Sequence, residues 1–124
     1  MNDDAPLFRY SVELRDGYVF VEQSGKAREL GEVEAMQEAI DMALAVGETR
    51  LLMFDNRETL APDPWIRASM WTWLSSRARV HRVAMLNKVA KIQRRVRQSG
   101  ERNRVWVEVF DNAAEASRWL RDTE

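Results

Sequence analysis

The sequence predicts an α/β fold. It takes the form of a mixed, mainly parallel five-stranded sheet with an N-terminal hairpin and four helices, in the order ββαβαβαβα. Three observations predict it. Asp16-Gly17 separates two runs rich in aromatic and β-branched residues, which is a hairpin pattern. Beyond it, short apolar runs alternate with segments of helical period. The breaks between them are short, as strand–helix–strand crossovers of one hand require.

Residues 1–6 read as a disordered lead-in ending at Pro6, and residues 7–122 as a single domain. In Phe8–Leu14, apolar Phe8, Tyr10, Val12 and Leu14 alternate with Arg9, Ser11 and Glu13, the period of a half-buried strand. Tyr18–Gln23 is its partner across the turn, and Ser24-Gly25 ends it. From about Glu29 the period changes, and Val33, Met36, Ala39, Ile40, Ala43 and Leu44 share one helix face. Glu32, Glu34, Glu38 and Asp41 lie mostly away from that face, and Gly47 reads as the C′ residue. Arg50–Asp55 contains four consecutive apolar residues, the signature of a strand covered on both faces.

A polar loop, Asn56-Arg-Glu-Thr59, is expected next. Asp63-Pro64 then reads as N-cap and N1 of a helix to about Ser76, with Ile66, Met70, Trp73 and Leu74 inward. Val80–Leu86 is the fourth strand. Asn87 opens a third helix that Gly100 stops, with a thin apolar seam of Val89, Ile92 and Val96. Arg104–Phe110 is the fifth strand. Asp111 or Asn112, the latter three residues before Glu115, caps a last helix whose inner face is Ala113, Ala116, Trp119 and Leu120.

At 124 residues the chain can bury one core without staples, and it has no cysteine, which excludes disulfides and thiolate metal sites. The acidic start lacks the apolar core of a signal peptide, and no run is long enough to span a membrane; a cytoplasmic location is expected. Net charge is −1 but unevenly spread. Residues 1–60 carry −7, and residues 77–104 carry ten bases against Glu101 alone.

The opening hairpin, the Val83–Leu86 strand leading to a basic helix, and the closing Val109-Phe-Asp-Asn-Ala-Ala-Glu-Ala-Ser-Arg-Trp-Leu120 together resemble the SpoIIAA-like superfamily. That superfamily includes the STAS domains of bacterial anti-sigma-factor antagonists and, more distantly, CRAL-TRIO lipid-transfer domains. The likeness is strongest to stand-alone SpoIIAA-like proteins, and it implies a non-catalytic protein-interaction or regulatory module. Phosphorylated STAS antagonists carry an Asp-Ser-Ser-Gly-like segment after the strand matching Leu51–Asp55. Here that segment is Asp55-Asn-Arg-Glu-Thr-Leu-Ala, with Thr59 its only hydroxyl. The familiar serine phosphoswitch is not expected.

Position at the carboxyl edge of the sheet makes Asp55, Asn56, Arg57, Glu58 and Thr59 the binding candidates, since ligands of such folds gather there. Trp65 and Trp71 are candidate walls of an apolar pocket or of an interface, and Trp106 is also hard to bury. Lys88, Lys91, Arg94 and Arg95 form a basic surface, read first as a solvated or internally complemented face. A protein partner is the leading expectation, with a homodimer possible. A small-molecule or lipid carrier with an apolar pocket at the carboxyl edge is the alternative, and nucleic acid comes last because no recognition motif accompanies the charge. No catalytic group, metal or cofactor is expected: His81 is the lone histidine, five glycines include no phosphate loop, and Asp55 with Glu58 or Asp63 completes no site.

Overall fold

The computed structural model describes residues 6–76, 80, 82–88 and 90–122, with the side chains of residues 90–92 outside that description. Residues 1–5 of the expected lead-in, His81 and Val89 therefore lie outside the described residues, as do the side chains of Lys91 and Ile92. The elements are β1 (Arg9–Arg15), β2 (Tyr18–Gly25), α1 (Leu30–Gly47), β3 (Leu51–Thr59), α2 (Pro64–Ser75), β4 (Arg82–Leu86), α3 (Ala90–Arg102), β5 (Val107–Phe110) and α4 (Ala113–Arg121). The order is the expected ββαβαβαβα.

The strands lie side by side in sequence order. β1 is antiparallel to β2, and the remaining neighbours are parallel. Each parallel crossover steps one strand in the same direction with the same hand, so α1, α2 and α3 gather on one face. There Val19, Val21, Leu52, Phe54, Val83 and Met85 pack under Met36, Ile40 and Leu44 of α1 and Leu74 of α2, with Val96 of α3 against them. The other face would be bare but for α4. It folds back so that Ala116 and Leu120 cover Tyr18, Phe20, Met53, Ala84 and Leu86. Successive residues of each strand thus serve opposite faces, and this is why β2 to β4 read as unbroken apolar runs.

Gly17, with φ 86°, supplies the positive dihedral at the hairpin, and Arg15 pairs with Tyr18 across it. β1 is an edge strand and mostly exposed; Phe8 and Val12 pack against the core while Tyr10 and Leu14 remain largely in solvent. At the start of α1 the Glu32 carboxylate accepts the backbone N–H of Arg28 at 2.9 Å and of Glu29 at 3.0 Å, holding the chain as it enters the helix.

Two glycines have roles other than those expected. Gly47 is the last residue of α1, and the left-handed residue after it is Glu48, with φ 49°. A Cβ on Gly47 would lie 2.5 Å from Cδ1 of Leu14 on β1, the end of a half-exposed side chain that has room to swing aside. Gly100 does not stop α3, which runs on to Arg102; it is buried, and a Cβ would sit 3.0 Å from the Val105 carbonyl and 3.3 Å from Val107. Reversal happens instead at Arg104, with φ 59°, so β5 starts at Val107 rather than Arg104. β4 likewise starts at Arg82, not Val80. Asp63 occupies the N-cap of α2 ahead of Pro64, but without a side-chain capping bond. Asn112 does cap α4, its Oδ1 accepting from Ala114 N at 2.8 Å and Glu115 N at 3.1 Å. Ala113, expected on the inner face of α4, is exposed.

Arg82 fixes the far end of α4. Buried at the start of β4, it donates from Nη1 to the Trp119 carbonyl at 2.7 Å and to the Asp122 carbonyl. Its guanidinium lies 4.4 Å from the Trp106 ring centre and 5.3 Å from that of Trp119. A buried cation is tolerated there because carbonyls and ring faces replace part of its hydration.

Gly25 closes β2 with φ 76°, and its ideal Cβ position lies 2.1 Å from the Leu7 carbonyl oxygen. Lys26 N donates to the Pro6 carbonyl and Leu60 N to that of Gly25, so three segments cross at this residue. Gly25→Ala must displace backbone as well as adopt a left-handed conformation. We expect a loss of at least about 2 kcal/mol in urea denaturation. Gly31→Ala in the first turn of α1, where nothing lies within 4 Å, is the control and should be neutral or up to about 1 kcal/mol stabilising.

Candidate carboxyl-edge site

Asn56-Arg57-Glu58-Thr59 is not a loop. β3 continues through it to Thr59, beyond the last β4 pair, Asp55 with Leu86. Glu22 pairs with Asp55 and Ser24 with Glu58, so β3 advances three residues while β2 advances two. The extra residue is a β-bulge opposite Gln23, and it re-aims the side chains around it. Gln23 Nε2 donates to Asn56 Oδ1 at 2.7 Å, and Thr59 Oγ1 donates to the Asn56 carbonyl at 2.6 Å. Asn56 Nδ2 approaches Met85 Sδ at 3.9 Å. These bonds replace the neighbour strand that β4 no longer provides. They explain why a strand segment is built from polar residues that read as a loop.

Asp55 is buried at the C-terminal end of the apolar run. Arg57 grips it in a fork, Nε to Oδ1 at 3.0 Å and Nη2 to Oδ2 at 2.8 Å, while Arg57 N donates to Oδ1 at 3.2 Å. The side-chain hydrogen bonds from Arg57 hold the Asp55 carboxyl below its ordinary range against the opposing effect of burial. The Arg57 backbone amide and the charges of Arg57 and Lys88 pull the same way. Asp55 in turn raises the Arg57 guanidinium. An ionised, paired carboxylate of this kind positions Arg57 and has no free proton chemistry.

Glu58 is exposed at the rim, Lys88 is exposed just ahead of α3, and Arg94 and Arg95 are exposed on it. Arg97 of α3 reaches Glu108 of β5 at 3.1 Å, so part of the basic helix is complemented within the fold. Trp65 and Trp71 separate: Trp65 is 54 % exposed on the first turn of α2, whereas Trp71 is half-buried. Trp71, with Trp73, lines a cavity of about 720 Å³ between α1, α2, α3 and the sheet. The cavity reaches the carboxyl edge at Asn56, Arg57 and Thr59; Asp55, Glu58 and Trp65 are not on its wall.

Gln37 also lines the cavity and is only 8 % exposed. Sequence reasoning overlooked it, although the signal was there: Gln37 sits one residue after Met36 and three before Ile40, a polar residue on the buried stripe of α1. Among the described residues no group of three or more His, Cys, Asp or Glu could hold a metal ion. No helix among them is long and apolar enough to cross a membrane.

No protein-family model matches the chain, and no curated protein does. Solved structures do match. An uncharacterized protein of the DUF3478 family with a SpoIIAA-like fold, from Shewanella loihica PV-4, superposes with a TM-score of 0.75 at 16% identity. The match covers 96% of this chain and 99% of that one. An anti-sigma factor antagonist from Mycobacterium paratuberculosis superposes with a TM-score of 0.68, also at 16% identity, over 94% and 96% of the two chains. The chain has the SpoIIAA-like fold.

The lowered Asp55 pKa makes a pH-dependent prediction. A carboxyl depressed in the folded state stabilises fully above its unfolded pKa of about 3.9, and that contribution is lost as pH falls through the folded value. Asp55→Asn should therefore cost about 1–2 kcal/mol at pH 7, a modest figure because Arg57 is partly solvated. Thermal melts from pH 7 down to pH 3 should show the gap closing below about pH 4. An equal gap at both ends would mean that the ion pair is not its source.

Proposed function

We propose that this protein is a non-catalytic, cytoplasmic protein-interaction module of a regulatory system. It docks through the carboxyl edge of its sheet and the adjoining basic surface of α3, without a serine phosphoswitch. The observation that carries the reading is the local charge. Arg57 lies on the segment where β3 projects past β4, Lys88 and Arg95 line the same cavity rim, and Arg94 is exposed next to Arg95 in the chain. Asp55 is buried beneath Arg57, which among the described residues leaves Glu58 and Glu22 as the exposed carboxylates near it. Such a surface suits an acidic patch on a partner, steering encounter and fixing orientation. The fold supports the reading too, since one solved protein that shares it is an anti-sigma factor antagonist. Thr59 is a poor substitute for the missing serine, because its hydroxyl is already engaged with the Asn56 carbonyl in a paired strand.

Docking of this kind predicts a charge-sensitive, phosphorylation-independent interaction. Lys88→Glu, Arg94→Glu and Arg95→Glu combined should abolish capture of the partner from native lysate of the source organism. The wild-type interaction should weaken as salt rises. Thr59→Ala and Thr59→Glu should leave capture within about twofold of wild type, a difference under about 0.5 kcal/mol. Capture that survives triple charge reversal would remove α3 from the interface, and capture governed by Thr59 would restore a phosphoswitch.

A further inference from the structure

The cavity beneath the helices has a chemical character that the docking reading does not use. Its walls are apolar and adaptable: Phe54 and Met85 from the sheet, Met36 from α1, and Met70 and Trp71 from α2. Its volume, about 720 Å³, lies inside the range of roughly 300–1,000 Å³ typical of small-molecule sites. Inside it, Gln37 Nε2 is buried and has no hydrogen-bond partner. A buried donor left unsatisfied is uncommon and marks a place where an acceptor belongs. The neighbouring buried amide, Gln23, is by contrast fully explained by its bond to Asn56.

The charge of the wall is one-sided. Arg57, Arg67, Lys88, Arg95 and Arg102 all contribute to it, and no Asp or Glu does among the described lining residues. Asp55 neutralises Arg57, but among the described residues no carboxylate pairs with Arg67 or Arg95. Cations around a mainly apolar space, whose lining also includes neutral polar groups such as Asn87 and Gln98, favour an apolar body that ends in an anion.

We infer that this cavity binds a small amphiphilic anion, an apolar molecule with a carboxylate or phosphate head. The tail lies against Trp71, Met36 and Phe54, the head lies within reach of Arg67 and Arg95, and Gln37 donates to an acceptor on the guest. Its apolar and amide contacts, on Met36, Gln37, Phe54, Met70 and Trp71, are not used by the docking surface, whereas Arg57, Lys88 and Arg95 border both.

The test uses the intact protein and four matched ten-carbon probes: decanoate, decyl phosphate, 1-decanol and decylammonium. Titration is followed by calorimetry and by emission from the cavity tryptophans. Decanoate or decyl phosphate should bind once per chain and at least about tenfold more tightly than 1-decanol, the value of one charge-assisted hydrogen bond. Decylammonium should bind most weakly. Whichever anion binds more tightly identifies the head group. Gln37→Leu should weaken the anions by about tenfold without lowering the melting temperature. Arg67→Glu should reverse the order of decanoate and decylammonium, a readout that misfolding would not mimic. The inference is overturned if no probe binds, which would mean a cavity filled only by water. It is equally overturned if 1-decanol or decylammonium matches the anions. Neither failure would bear on whether the outer face captures a protein.

Discussion

One inserted residue in β3 governs the carboxyl edge of this molecule. At the bulge opposite Gln23 the register of β3 against β2 shifts by one residue, and pairing resumes at Ser24–Glu58 and Gly25–Thr59. The Gln23–Asn56 and Thr59–Asn56 bonds hold this extension beyond the Asp55–Leu86 pair, where β4 ends. Gly25 must be glycine because the segment at Pro6–Leu7 crosses directly over it, and that crossing leads Phe8 to the cavity wall. The bulge, the crossing at Gly25 and the entry of the chain thus meet at one end of β2 and β3.

At the edge one carboxylate, Asp55, is buried, while Arg57 and the α3 cations are exposed together with Glu58 and Glu22. A fork of two hydrogen bonds to a buried carboxylate fixes the direction of Arg57 more firmly than a surface pair would. The outer face and the cavity share Arg57, Lys88 and Arg95, so a guest beneath and a partner outside would feel some of the same charges. That is a physical route by which occupancy of one could alter the other.

The elements most legible in the sequence were those whose pattern has a single cause. Asp16-Gly17 can do little but turn, and the run Leu51–Phe54 can only be a strand covered on both sides. Glycine was the recurrent error because it has two uses that look alike in one dimension. Gly47 and Gly100 read as helix stops, yet the left-handed turn after α1 falls on Glu48, and Gly100 lies within α3 where the Val105–Val107 segment passes close. The extent of β3 was hidden because its last residues satisfy their neighbours through polar side chains, which carry no apolar period. The placement of Trp71 on the cavity and Trp65 in solvent follows helix geometry, since six residues leave them about 120° apart around the axis. The position of the cavity depends on how three helices meet over the sheet, and no single segment encodes that.

The clasp between Arg82, Trp106 and Trp119 has an optical consequence. The two indoles stand edge to face with centroids 5.8 Å apart and an interplanar angle of 85°, close enough for their transitions to couple. Circular dichroism would register that coupled pair on the α4 side of the sheet, where a guanidinium also perturbs the rings. Trp71 and Trp73 lie on the opposite side, beside the cavity. The chain thus carries two intrinsic chromophore sets on its two faces, so loosening of α4 and filling of the cavity can be followed separately in one unlabelled sample.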